Sequence, residues 1–256
     1  MADIHPTAIV DTQAVIGKDV FIGPYCVITG PVHIGDGTRL ISHVCIDGNT
    51  RIGNNNTVYP FASIGFITQD LKYKGGSPGV VIGDGNTIRE YVTVNTATFD
   101  GEDTIVGNNC HIMAYCHIAH DCIVGDEVIM ANAATLAGHV IVEQQSIIGG
   151  LCGVHQFVRV GRLSIMGGCS KAVKDVPPFM MTDGNPLEVH GLNIVGLKRR
   201  GIPRNSIHAL KDAYKIMYRQ ELPVSEAVEK VKAELEITPE ITHLIDFIEK
   251  TERGLT

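Results

Sequence analysis

An aliphatic side chain recurs at every sixth position through most of this 256-residue chain. The series runs Ile4, Val10, Ile16, Ile22, Ile28, Ile34, Leu40, Ile46, Ile52, Val58 and Ile64, then Ile82, Ile88 and Val94. It resumes at Val106 and passes through Ile112, Ile118, Val124, Met130, Leu136, Val142, Ile148, Val154 and Val160 to Met166. The gaps from Ile64 to Ile82 and from Val94 to Val106 are 18 and 12 residues, both multiples of six, so the frame survives two interruptions. A helix repeats every ~3.6 residues and a half-buried strand every ~2, and neither produces this series. A period of six marks a coil in which each repeat is one short strand and a corner.

A second inward position lies four residues after each aliphatic. It holds Val20, Cys26, Val32, Thr38, Val44 and Thr50, and later Cys110, Cys116, Cys122, Val128, Ala134, Val140, Ser146 and Cys152. Small or β-branched residues suit a narrow interior. Glycine often follows the aliphatic, as at Gly17, Gly35 and Gly125, where the chain must turn. Three hexapeptides make one triangular coil, so residues 18 apart are expected to stack at strand spacing, ~4.8 Å.

Aromatics make up only 5% of the chain and Trp is absent, which fits a thin solenoid core. No apolar run reaches ~18 residues, and Met1–Ala2–Asp3 leads straight into the first repeat, so we expect a cytoplasmic protein with no membrane span or secretory signal. Of the seven cysteines, Cys26, Cys110, Cys116, Cys122 and Cys152 occupy the inward slot, where they pack as small hydrophobes; only Cys45 and Cys169 fall outside it. No Cys-x-x-Cys pair is present, and an odd count argues against a disulfide framework. The formal charge of −7 does not favour nucleic acid. The C-terminal part is locally basic around Lys198, Arg199, Arg200, Arg204, Lys211, Lys215 and Arg219, a dock for phosphates or an acidic partner, although the later lysines also read as a solvated helix face.

The expected layout is a β-helix over residues 1–185 and a small α-helical domain over residues 186–256. The ladder is expected to stop near Pro177–Pro178. Two in-frame insertions, about 66–80 and 96–104, are expected to leave the solenoid as ligand-binding loops. Past Asn193 the period becomes helical: Ile207, Leu210, Tyr214 and Met217 form one stripe, and Val224, Val228, Val231 and Leu235 a second. Thr238-Pro239-Glu240 reads as an N-cap, a first-turn proline and an early acid, ahead of Ile241, Leu244, Ile245 and Ile248.

The histidines carry the chemistry. Residues 106–176 run uninterrupted, so position modulo 18 predicts stacking. His120, Gly138 and Gln156 share one phase, Asp121 and His139 share the next, His155 sits one before, and His117 lies three residues behind His120. Titratable groups from successive coils therefore gather on one edge, outside the inward slots. Two chemistries fit. One is zinc held by imidazoles, with an activated water. The other is a histidine base acting on a substrate hydroxyl, since an imidazole titrating near ~6.5 is matched to that proton. In the second, Asp121 would fix the tautomer of His120, and Gly138 would offer its N–H to an oxyanion. The zinc reading explains neither Asp121, nor Gln156, nor the basic segment.

The segments His117-Ile118-Ala119-His120-Asp121-Cys122, Leu136-Ala137-Gly138-His139-Val140 and Val154-His155-Gln156-Phe157 closely resemble the acyl-[acyl-carrier-protein]–UDP-N-acetylglucosamine O-acyltransferases. So do Gln69-Asp70-Leu71-Lys72-Tyr73, Asp175-Val176-Pro177-Pro178, Gly184-Asn185 and Leu197-Lys198-Arg199-Arg200-Gly201, in order along the chain. The N-acyltransferases of the same pathway carry an additional N-terminal domain, whereas repeats here begin at Ile4. The resemblance implies a left-handed parallel β-helix, a handedness that breaks the usual crossover rule, in a cytoplasmic homotrimer.

It implies transfer of a 3-hydroxyacyl chain from acyl carrier protein to the 3-hydroxyl of UDP-N-acetylglucosamine, in the first step of lipid A biosynthesis, with no cofactor and no metal. By motif, His120 is the base, Asp121 its orienter and Gly138 the oxyanion donor. Asp70, Lys72, His117, His139, His155 and Gln156 line the sugar and phosphate site; Asn193, Arg199 and Arg200 meet the nucleotide; Gly168 holds the acyl-chain ruler position and admits a longer tail. Asn95-Thr96-Ala97-Thr98 stands where many members have Asn/His-Arg-Gly-Thr, and Val195 where some have glutamate. These departures leave the acceptor open between the sugar and its 3-amino analogue. The other readings are a zinc hydratase of γ-class carbonic anhydrase type and a non-enzymatic binding scaffold.

Overall fold

A six-residue repeat leaves room for a two-residue strand and a corner, and this is what the chain builds. In the computed structural model, which describes residues 1–256, His117–Ile118, Ile123–Val124 and Ile129–Met130 follow one another around a triangle. The result is a left-handed parallel β-helix with helices at its C-terminal end. Its three faces are sheets of eleven, nine and eight strands, taken here as the first, second and third faces. His117–Ile118 lies on the second face, Ile123–Val124 on the third and Ile129–Met130 on the first. Each strand pairs with the one a coil away: His117 with Thr135, and Thr135 with Gly153. Bonds such as His117 N–H to Ala134 O (3.0 Å) and Ile123 N–H to Val140 O (2.9 Å) tie coil to coil.

From Ile22 onward the aliphatic series and the apolar residues of the second inward slot fill the interior as one buried cluster of 41 residues. The second inward slot packs against the corners and also satisfies them. The thiols of Cys110, Cys116 and Cys122 donate to the carbonyls of Gly125, Ala131 and Ala137, each at 3.1 Å. Burial pushes Cys110 and Cys116 up to about 11 and Cys122 to about 12, so they remain neutral thiols. Two asparagines, Asn56 and Asn86, occupy the same slot against the rule of small residues. Their amides donate to Gly83 O and Gly107 O at 2.9 Å, replacing the thiol contact with a stronger one.

The ladder does not stop at Pro177–Pro178, as expected from their missing N–H groups. Val176 bridges Val160, and Met180–Asp183 pairs with Ile165–Met166 in parallel before turning back on Glu188–Leu192. The two prolines fall at the corner between these pairings, where no ladder donor is required.

Four helices follow: α1 (Ile194–Arg199), α2 (Arg204–Arg219), α3 (Val224–Glu234) and α4 (Pro239–Glu249). Their apolar stripes share a second core with Leu163, Phe179, Met180 and Leu192 of the last coils. Thr238 caps α4 by accepting the N–H of Ile241 at 3.3 Å.

The dock between α4 and the solenoid is polar. His243 Nε2 lies 2.7 Å from Glu143 Oε2, and Arg159 stacks over Phe247 at 4.1 Å. Burial pushes the Glu143 carboxyl up, but His243, the Arg162 N–H and Arg159 outweigh it and leave it below its ordinary value of 4.5. Because the folded value is depressed, this contribution is present above 4.5 and is lost as the pH falls below it. Glu143→Gln is therefore expected to cost roughly 1–3 kcal/mol at neutral pH. The gap between variant and parent is expected to close in thermal melts run below pH ~4.5.

Candidate active site

Two of the sharpest sequence positions, Asp121 and His139, occupy successive rungs of the corner between the second and third faces. With Phe157 they form a column of left-handed corner residues, φ +60°, +60° and +65°. The ladder fixes their stacking: His139 N–H bonds His120 O at 3.0 Å, and Phe157 N–H bonds Gly138 O at 3.2 Å. The His139 ring stacks on Phe157 at 4.7 Å and meets the His120 ring edge-on at 5.2 Å.

Both insertions leave from this same corner. The first runs between Ser63–Phe66 and Gly79–Ile82, the second between Thr93–Asn95 and Asp103–Val106, each from the second face to the third. They fold over the histidines. The ligating atoms of Asp70, His120 and His139 all lie within 4.8 Å of one another, so this trio is the group able to hold a cation. Lys72, exposed on the first loop, lines a cavity of about 540 Å³ with Leu71, Lys74, Thr98 and Phe99. A second cavity, of about 520 Å³, opens beside Asp121, His139 and Phe157 and reaches Arg159, Lys250 and Glu252.

His120 Nδ1 lies 2.6 Å from Asp121 Oδ2, with side-chain exposures of 14% and 7%. A carboxylate only accepts, so Nδ1 carries the proton and Nε2 keeps its lone pair. His139 Nε2 is 3.5 Å from the same oxygen. Burial pushes the Asp121 carboxyl up; bonds from His120 and Thr98, with His139, outweigh it and hold it below the usual carboxylate range. Burial, reinforced by His120, lowers His117, whose Nδ1 meets Thr93 Oγ1 at 2.7 Å. That ring is a neutral neighbour of the pair.

Gly138 does two things here. A Cβ built on it would collide with Cε1 and Nε2 of His120, so the missing side chain is the seat of the imidazole. Its N–H is also left out of the ladder: Ala137 and His139 donate to Val154 O and His120 O, each at 3.0 Å, while Gly138 donates to nothing.

The other sequence-derived residues lie further out. His155 and Gln156 are exposed, and His155 Nδ1 faces its neighbour's carbonyl (3.2 Å) and Arg253 (3.4 Å) rather than His120. Asn193 caps α1 by accepting Gly196 N–H and donates to Leu163 O, both at 2.9 Å, which uses both ends of its amide. Arg199 is exposed, and Arg200 pairs with Glu127 at the corner between the third and first faces. Gly168 lies at the corner between the first and second faces, where an added Cβ would approach Gly150 O at 3.3 Å.

Sequence reasoning missed Thr98 and Thr104. Thr104 fills an inward slot with a hydroxyl that accepts the N–H of Asp121 at 2.9 Å, a polar residue in the apolar frame that was there to be read. Thr98 sits on an insertion, where phase arithmetic does not reach.

The chain also matches known proteins. Residues 13–48 and 103–138 match the family described as bacterial transferase hexapeptide (six repeats), and residues 175–256 match UDP N-acetylglucosamine O-acyltransferase, domain 2. An acyl-[acyl-carrier-protein]–UDP-N-acetylglucosamine O-acyltransferase of Thermodesulfovibrio yellowstonii is 55% identical over 256 residues, covering 100% of this chain and 99% of that one. The chain belongs to this acyltransferase family. Among solved members, a UDP-N-acetylglucosamine acyltransferase from Bacteroides fragilis superposes with a TM-score of 0.97 at 41% identity, covering 99% of each chain. A UDP-N-acetylglucosamine O-acyltransferase from Moraxella catarrhalis gives 0.93 at 45% identity over 98% of each.

Gly138→Ala is expected to leave the solenoid folded and to lower kcat by about 10²–10³-fold, because the new methyl evicts the His120 ring. Circular dichroism with steady-state kinetics checks this. A variant with parental kcat would show that the imidazole does not use this seat.

Proposed function

We propose that the protein transfers an acyl chain from acyl carrier protein to UDP-N-acetylglucosamine, the first step of lipid A biosynthesis, with His120 as general base. The observation that carries this reading is the His120 ring, whose Nδ1 is held on Asp121 at 2.6 Å and whose Nε2 lies over Gly138. Nε2 takes the proton of the acceptor hydroxyl as its oxygen attacks the thioester carbon. The new C–O bond leaves negative charge on the former carbonyl oxygen, to which the free Gly138 N–H donates. Collapse breaks the C–S bond, and the proton carried by His120 leaves with the carrier's thiol.

Asp70, Lys72, His117, His139, His155 and Gln156 complete the sugar and phosphate site in this reading. Asn193, Arg199 and Arg200 serve the nucleotide, and Gly168 leaves room for a long acyl tail. Supporting a homotrimer, His120, Arg200 and Gly168 stand at three different corners of one prism. One substrate meets all three only where edges of neighbouring copies face each other. The acidic carrier finds complementary charge on Lys211, Lys215 and Arg219, around a cavity of about 320 Å³ beside Leu192 and Ile194. The zinc hydratase reading is disfavoured: it assigns no role to the Gly138 seat or to Thr98.

The test is turnover by EDTA-treated protein with UDP-N-acetylglucosamine and 3-hydroxyacyl carrier proteins of several lengths, with the product read by mass spectrometry. An acylated UDP-sugar is expected, and His120→Ala is expected to lower kcat by about 10²–10⁴-fold with the melting temperature unchanged. The 3-amino sugar nucleotide is run alongside. Failure with both acceptors, or turnover only on adding zinc, would sink the reading.

A further inference from the structure

The histidine–aspartate pair is clamped from outside the solenoid by the second insertion. Thr98 is 1% exposed, yet it belongs to the loop between Thr93–Asn95 and Asp103–Val106. Its N–H donates to Asp121 Oδ1 at 3.0 Å and its hydroxyl to Asp121 Oδ2 at 2.8 Å, so one residue grips both carboxylate oxygens. The same hydroxyl oxygen lies 3.1 Å from His120 Nδ1. Its single proton goes to the carboxylate, so toward Nδ1 it presents a lone pair. The proton on Nδ1 therefore lies between two acceptors, and the opposite tautomer would set its lone pair against both.

The loop does not hold this position alone. Thr68 of the first insertion donates its N–H to Thr96 Oγ1 (3.2 Å), and its hydroxyl comes within 3.5 Å of the Thr98 hydroxyl. Thr96 N–H bonds Phe66 O at 2.9 Å, and Ala97 N–H bonds Gly79 O at 3.2 Å. The two insertions thus brace each other, and the braced tip is Thr98.

We propose that Thr98 is a positioning residue of the acyl transfer: its hydroxyl and N–H orient the Asp121 carboxylate and thereby fix the His120 tautomer with Nε2 free. This deepens the reading of His120 as base and rests on it. Asp70 from the first loop, His139 from the next coil and His117 behind are the other titratable groups around the pair. All three are unchanged in the variants below, so a difference reports Thr98.

Thr98→Val keeps the shape and the N–H but removes the hydroxyl; Thr98→Ser restores the hydroxyl. Thr98→Val is expected to lower kcat by about tenfold, the value of one hydrogen bond to a charged group. KM for the UDP-sugar is expected to stay within about twofold. A carboxylate with one donor fewer holds the imidazolium more tightly, so the acidic limb of the kcat profile is expected to move to higher pH. Thr98→Ser is expected to recover both rate and profile. Ring ¹⁵N shifts of His120, read on the free full-length protein, are expected to move in the same direction.

Parental kcat and pH profile in Thr98→Val would overturn the proposal, as would a loss confined to KM, or one that Thr98→Ser shares. If the parent itself fails to turn over, the acyl-transfer reading falls, and the ¹⁵N shifts still decide whether Thr98 governs the ring.

Discussion

Everything in this molecule depends on the parallel ladder that ties each coil to the next. With most strands only two residues long, no strand is stable by itself, and the hydrogen bonds from one coil to its neighbour supply the order. That ladder permits one offset in the uninterrupted region, 18 residues, as in His117 paired with Thr135. A one-residue slip would turn the whole aliphatic column outward. The register is therefore held by the core, and whatever is held in register at the corners inherits the same precision.

The active-site pair uses that inheritance. The left-handed backbone at Asp121, His139 and Phe157 is costly for residues with a Cβ. The corner leaves them no alternative, and their stacking offsets part of the cost. The same conformation aims successive side chains out along one edge, so a carboxylate, an imidazole and a phenyl ring lie one above another. On the faces, backbone donors are consumed by the ladder. At the corner only some are, as at His139 and Phe157, which is why an unpaired N–H at Gly138 can coexist with a dry, ordered scaffold.

Much of this was legible. The period of six gave the coil, and the modulo-18 phase placed His120 over Gly138 and Asp121 beside His139 before any coordinates. It also placed Gln156 in the same column, but phase says nothing of reach, and Gln156 makes no bond to His120. Pro177–Pro178 misled because a missing N–H matters only where the ladder needs one. Asn56 and Asn86 were unexpected because a size rule ignores the corner carbonyls that their amides satisfy. The contact of Thr98 with Asp121 was beyond the reach of phase: on an insertion the frame lapses, and its place is set by contacts with another insertion.

The position of the insertions follows from the same physics. A loop inserted within a face would break a strand of two residues and the pairings above and below it. At a corner, an insertion in whole hexapeptides changes only the pairing offset. Thr50 then meets Val80 and Val80 meets Thr104, while the inward column continues unbroken. Both insertions use the corner between the second and third faces, so they stack on each other as the coils do. Two loops that stack can brace, and a braced loop can hold a buried hydroxyl such as Thr98 against a carboxylate at 2.8 Å. The solenoid thus supplies the base and its orienter from the ladder, and their lateral support from the interruptions of the ladder.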